Sequence, residues 1–175
     1  THSFFGVSKT YADLIVQEYG KNIGLKTVCF RAGCLTGPNH SGAKLHGFLS
    51  YLVKISLTKK KYSLIGYKGK QVRDNLHSFD LVNSFWEFFK KPTSGEVYNI
   101  GGGRYSNCSI IEALDLVDKI ANISVKRDIL KKPRVGDHIW YISNLSKFKK
   151  QYPNWNQKYD TKKIIEELIS HEKIS

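Results

Sequence analysis

Two arginines stand where an anion could be held. Arg73 precedes Asp74 in the run Gly69-Lys-Gln-Val-Arg-Asp74, and Arg134 opens Arg134-Val-Gly-Asp137. A guanidinium presents a planar fork of donors that fits a phosphate or a carboxylate in two-point contact. The alternative for Arg73-Asp74 is a local surface ion pair, which contributes little. The run Gly101-Gly102-Gly103 follows a β-prone segment and precedes a helical one, the context in which a glycine loop cradles a pyrophosphate. Its spacing, Gly101-x-Gly103-x-x-Ser106, lacks the third glycine of a dinucleotide loop. It reads as a flexible strand-to-helix turn near a ligand, and no dinucleotide is placed on it. Phe5 and Lys9 are four apart at the start of a helical segment and share one face of it. Cys29, Cys34 and Cys108 are odd in number and form no C-x-x-C pair, and the six histidines show no ligand spacing, so neither a disulfide framework nor a metal site is expected.

Periodicity supplies the elements that would position these groups. Ala12, Ile15, Val16 and Tyr19 repeat at helical spacing and predict an amphipathic helix from about 8 to 19, closed by Gly20, followed by a short strand over Thr27 to Phe30. Leu45, Phe48, Leu49 and Leu52 predict a second helix, Tyr62 to Ile65 a strand ending in a Gly66 to Gly69 turn, and Val72 to Leu76 another strand. Leu81, Val82, Phe85, Phe88 and Phe89 mark a helix with Asp80 in its first turn, which stops before Lys91-Pro92 because a residue preceding proline is driven out of helical geometry. Glu96 to Ile100 reads as a strand. Ser109 and Glu112 form a capping box for a helix whose stripe is Ile110, Ala113, Leu114, Val117 and Ala121. Two shorter helices, near 143–151 and 161–170, close the chain, and the tail beyond Val125 otherwise reads as irregular. Alternating strands and helices of this length predict an α/β fold with parallel strands covered by helices.

Composition bounds the function classes. With 28 Lys and Arg against 15 Asp and Glu on 175 residues, the formal charge is +13, while 41% of the chain is hydrophobic and 13% aromatic. That apolar content excludes disorder and suits one compact unit. No run approaches the roughly 18 apolar residues of a membrane span, so a soluble, cytoplasmic protein without a membrane partner is expected. Only five of the cations are arginine, and the lysines fall in short scattered clusters. Such scatter is the pattern of a solvated surface, and a nucleic-acid partner is not expected. Methionine is absent, even at position 1, which suggests a piece of something longer.

Five segments, in order, resemble the extended short-chain dehydrogenase/reductases. Phe5-Gly-Val-Ser-Lys9 is similar to their Y-x-x-x-K segment, and Arg31-Ala-Gly-Cys-Leu-Thr-Gly37-Pro38 to their R-x-x-N-x-Y-G-P loop. Gly69-Lys-Gln-Val-Arg-Asp74-x-x-His77 resembles G-x-Q-x-R-D, Glu96-Val-Tyr-Asn-Ile-Gly-Gly the V-x-N-I-G-G turn, and Arg134-Val-Gly-Asp137 the R-P-G-D segment. Within that superfamily the sequence looks most like nucleotide-sugar epimerases of the CDP-paratose 2-epimerase type.

The resemblance implies an α/β fold that is the C-terminal portion of a Rossmann-like enzyme, a single unit over 1–175. About 1–40 and 70–105 would complete the sheet, about 41–69 and 106–175 would form a small, irregular substrate-binding lobe, and the N-terminal dinucleotide-binding half would be absent. It implies NAD as cofactor, a nucleotide-diphosphate sugar as substrate, a homo-oligomer as the full-length protein, and inversion of a sugar carbon by transient oxidation to a ketone and re-reduction. Lys9 would hold the nicotinamide ribose, with Ala32 and Gly33 beside the nicotinamide. Cys34, His46, Leu64, Arg73, Arg134 and Asp137 would bind substrate, Arg73 and Arg134 clamping the diphosphate while Asp137 orients an arginine or takes a ribose hydroxyl. The family's proton-transferring tyrosine is here Phe5, which has no proton to exchange. Cys34 and Thr36 replace the usual Asn and Tyr of their loop. Two alternatives follow: a noncatalytic nucleotide-sugar binding relative, and a dehydratase or reductase of the same family.

Overall fold

The structure is a computed structural model that describes residues 3–40, 42–43, 47–133 and 136–174. Helix α1 runs over Phe4–Lys21, capped by Ser3, whose hydroxyl accepts from the Gly6 amide. The helix extends beyond the predicted limits at both ends, and Gly20 lies inside it instead of closing it. Gly20 serves close packing: a Cβ there would lie 2.3 Å from the Gly95 nitrogen and the Thr27 hydroxyl. Strand β1 (Val28–Ala32) pairs in parallel with β5 (Glu96–Ile100).

A second sheet is organised by β4 (Val72–His77), whose later residues pair in parallel with β2 (Cys34–Thr36). Its first half pairs antiparallel with β6 (Asn107–Ser109) and parallel with β8 (Trp140–Tyr141). A third, two-stranded parallel sheet joins β3 (Tyr62–Ile65) to β7 (Arg127–Leu130). The tail predicted as irregular therefore supplies two strands. Each finds its partner far away in sequence, which local periodicity cannot register.

The remaining helices are α2 (Phe48–Leu57), α3 (Ser78–Lys90), α4 (Ile110–Ala121), α5 (Ser146–Gln151) and α6 (Thr161–Ile174). The Ser109–Glu112 capping box forms at the head of α4, with Ala113, Leu114 and Val117 buried as the spacing requires. Two apolar clusters hold the elements. One gathers Leu49, Leu52 and Val53 of α2, Leu64 of β3, the α4 stripe, and Ile164, Ile165 and Leu168 of α6. The other gathers Leu76, Tyr98 and Ile100 with Leu145, Phe148, Tyr152 and Trp155, so α5 packs against β5. Asp80 ties the chain end to α3: its buried carboxylate accepts from the amides of Lys158 and Tyr159, and its carbonyl accepts from the Trp155 indole.

The apolar stripes of α1 and α3 are not used in this way. Val7, Tyr11, Leu14 and Ile15 of α1, and Val82, Phe85, Trp86 and Phe89 of α3, are exposed. Among the described residues no helix is long and apolar enough to cross a membrane.

Candidate active-site cleft

The three strands and two helix starts converge on a cleft of about 300 Å³. Strand β2 contributes Cys34 and Thr36, the start of α2 Phe48 and Tyr51, β3 Ser63 and Ile65, and β4 Arg73 and Asn75, with Gln71 just before the strand. Arg73 is the cation of this wall, its side chain only 15% exposed. Its Nη2 donates to Asp137 Oδ1 at 2.9 Å, and its Nη1 donates to the Val72 carbonyl at 2.8 Å. Of the two roles foreseen for Asp137, orienting an arginine is the one the geometry contains. A guanidinium fixed on two sides keeps its other N–H groups for an anion in the cleft.

The alternative reading of Arg73-Asp74 as a surface ion pair fails, since no such pair forms among the described residues. Successive side chains of a strand point to opposite faces, and Asp74 turns away from the cleft into complete burial. There its Oδ2 accepts from the amides of Gly103 and Ser143, both at 2.9 Å. This carboxylate and the backbone beside it account for the first two glycines of the run. A Cβ on Gly101 would lie 2.4 Å from Asp74 Oδ2, and one on Gly102 would lie 2.0 Å from the Ser106 carbonyl oxygen and 2.4 Å from that of Asn75. Gly33 is under the same constraint, its Cβ position 2.2 Å from Asp74 Oδ1. The run expected to be a flexible turn is a packed junction beside an internal anion.

Leu64, expected to touch substrate, is corrected by strand alternation. It is 2% exposed and belongs to the core, while Ser63 and Ile65 beside it line the cleft. Cys34 does line it. Burial pushes its thiol up to about 11, the Asp74 carboxylate adding to the shift and Arg73 opposing it. At neutral pH it is a neutral, weakly polar wall group. His46 and Arg134 lie outside the described residues.

Phe5 and Lys9 are not on the cleft wall. They share an exposed face at the start of α1, Phe5 70% exposed, with the Lys9 ammonium 5.5 Å from the centre of the Phe5 ring. Among the described residues Lys9 has no carboxylate partner. Helix α1 packs on β1, whose last residues, Arg31 and Ala32, are exposed. The carboxyl ends of parallel strands are where open α/β sheets carry ligands, and a free ammonium with an exposed backbone end fits the hydroxyls and amide of a nicotinamide riboside. The donor set lacks one thing: Phe5 has no hydroxyl.

Sequence reading missed Gln71 and Asn75. The available signal was the period of two: once Arg73 is placed on a face of β4, residues two positions to either side share it. Tyr51 and the hydroxyl pair Thr36–Ser50, 3.2 Å apart, were not foreseen because the start of α2 approaches β2 only in three dimensions.

Residues 1–101 match the model of the NAD dependent epimerase/dehydratase family, and the chain belongs to that family. It is 27% identical over 173 residues to CDP-paratose 2-epimerase of Salmonella typhi, a match covering 95% of this chain and 51% of that protein. It is 32% identical over 121 residues to dTDP-D-glucose 4,6-dehydratase of Dictyostelium discoideum, covering 69% of this chain and 26% of that one. The crystal structure of dTDP-glucose 4,6-dehydratase from Bacillus anthracis in complex with NAD superposes with a TM-score of 0.84 at 26% identity, covering 99% of this chain and 53% of that chain. The chain thus spans about half the length of the first of these relatives and of the superposed structure. The α/β architecture is that of the extended short-chain dehydrogenase/reductases.

Proposed function

We propose that this chain is the substrate-side half of an NAD-dependent nucleotide-sugar epimerase, of the kind that inverts a sugar carbon in CDP-paratose. The observation that carries the reading is Arg73, fixed by Asp137 on the wall of a cleft whose other walls are apolar and neutral polar. In this reading Arg73 binds the substrate diphosphate, with Arg134 as the second cation. Asp137 holds the Arg73 fork in register, and Lys9 donates to the ribose hydroxyls of the cofactor. NAD, when bound, accepts a hydride from the sugar and returns it. The exposed apolar faces of α1 and α3 and the free edge of β1 pack, in the whole protein, against a dinucleotide-binding half, because a two-stranded parallel sheet is too small to stand uncovered. Such a protein works in the cytoplasm as a homo-oligomer.

Phe5 favours a second reading, a relative that binds nucleotide sugars without turning them over. Proton transfer by a positioned group is typically worth about 10² to 10⁴ in rate, and Phe5 cannot supply it. One experiment separates the two. The full-length protein is analysed for retained NAD and for interconversion of CDP- and UDP-sugars, as wild type and as Phe5→Tyr. Turnover by the wild type establishes the epimerase, with the proton moved by another group. Ligand-induced thermal stabilisation without turnover, with activity appearing only in Phe5→Tyr, establishes the binding relative. Neither NAD nor nucleotide-sugar binding would sink both.

A further inference from the structure

We propose that Gln71 and Asn75 read the two ends of the ligand whose anionic middle lies on Arg73. The proposal rests on the nucleotide-sugar reading above and adds to it the residues that recognise the base and the sugar. Gln71, Arg73 and Asn75 all line the cleft, two positions apart along the same stretch of chain. At about 3.3 Å per residue, Gln71 and Asn75 stand about 13 Å apart with the guanidinium between them.

Both flanking side chains hold an oxygen that nothing in the protein satisfies. Gln71 is 2% exposed; its Nε2 donates to the Ile65 carbonyl at 3.0 Å, and its Oε1 meets no donor among the described residues. The Ile65 carbonyl fixes the orientation of this amide, because the reversed one would set two acceptors against each other. Asn75 is 1% exposed; its Nδ2 donates to the Arg73 carbonyl at 3.2 Å and lies 3.5 Å from the Cys108 sulfur, and its Oδ1 is likewise without a donor. Buried acceptors without donors are costly and uncommon. Asp74 Oδ1 and the Ser143 hydroxyl are also unpaired, but they face the glycine junction and not the cleft.

Along this stretch the order of groups is acceptor, cation, acceptor, the two oxygens being closed to water in this state. Its complement is donor, anion, donor, which is the order of groups along a nucleotide sugar: base N–H, diphosphate, sugar O–H. The direction follows from the neighbours. Asn75 sits in register with Cys34, next after Gly33, the side assigned to the nicotinamide, so it faces the reacting sugar. Gln71 is tied to β3, whose Ser63 and Ile65 line the cleft together with Tyr51 of α2, an aromatic ring on which a base can stack.

Calorimetric titration of the full 175-residue chain with CDP, UDP, UDP-glucose and inorganic pyrophosphate tests this. Gln71→Met is expected to weaken CDP and UDP about tenfold while leaving pyrophosphate within about twofold. Asn75→Leu is expected to leave CDP and UDP unchanged and to remove whatever affinity UDP-glucose gains over UDP. Melting curves verify folding, and Gln71→Asn, which keeps the amide but withdraws it, replaces Gln71→Met if that variant melts early. If the wild type binds CDP or UDP and the Gln71 variants bind them equally well, or lose pyrophosphate in proportion, the proposal is overturned while the nucleotide-sugar reading stands. It is equally overturned, for the base end, by a wild type that binds pyrophosphate alone. A wild type that binds none of the four overturns both.

Discussion

Asp74 shows how far one carboxylate can dictate the residues around it. A side chain at Gly33 or Gly101 would meet Asp74, and one at Gly102 would meet the backbone of Ser106 and Asn75, so all three positions require glycine. Gly102→Ala, pressed against two carbonyl oxygens that cannot rotate away, is expected to cost about 3 kcal/mol, the upper end of overpacking. Chemical denaturation of the chain without any ligand measures it, and an unchanged midpoint would return the run to the role of a ligand loop. The three thiols make a second test. Burial raises all of them, Cys34 to about 11 and Cys108 to about 12, with Cys29 also raised above the usual thiol range. At pH 8 the folded chain should react slowly with a thiol reagent, and the denatured chain at all three. Because the folded state holds these protons more tightly, their effect on stability is nil below about pH 9, where both states are protonated. Above it the unfolded chain releases protons first and stability falls as pH rises toward 11. A flat profile from pH 9 to 11 would contradict the burial of Cys34 and Cys108.

At the scale of elements, local signals worked where one element satisfies itself. The capping box of α4 is complete: the Ser109 hydroxyl accepts from the Glu112 amide at 3.2 Å, and the Glu112 carboxylate accepts from the Ser109 amide at 2.7 Å. Ser109→Ala is expected to cost about 1 kcal/mol, a fall in Tm of roughly 2–4 °C for a chain of this size. Scanning calorimetry reads it, and a shift under a degree would mean the cap is redundant. Helix α1 shows the limit of such signals. Its period of 3.6 was legible, but its end was assigned to Gly20, a residue small for a reason located at Gly95 and Thr27. Strands β7 and β8 escaped for a related reason, since four and two residues carry too few alternations to stand out and gain their stability from β3 and β4.

The whole molecule has a polarity that composition hides. The helices α2, α4 and α6 enclose a dense core, while α1 and α3, which pack on opposite faces of β1, display Tyr11, Leu14, Phe85, Trp86 and Phe89 to solvent. Exposed apolar stripes of this kind mark interaction faces. The chain by itself is expected to bind a hydrophobic dye and to self-associate, and Trp86→Lys with Phe89→Lys to reduce both without lowering Tm. A monomeric, dye-negative wild type would show that these faces need no cover.

Sequence by itself determined the α/β class, the main helices, the cap of α4, the family, and the candidacy of Arg73 and Cys34, because these rest on periodicities and ordered motifs within a few residues. Tertiary structure alone decided which sides of β3 and β4 face the cleft. That choice separated Arg73 from Asp74, moved Leu64 into the core beside Ser63 and Ile65 on the wall, and brought Gln71 and Asn75 to the site. A strand's alternation fixes which residues share a face, but only the sheets and helices packed on either side decide which face is buried and which one meets the ligand.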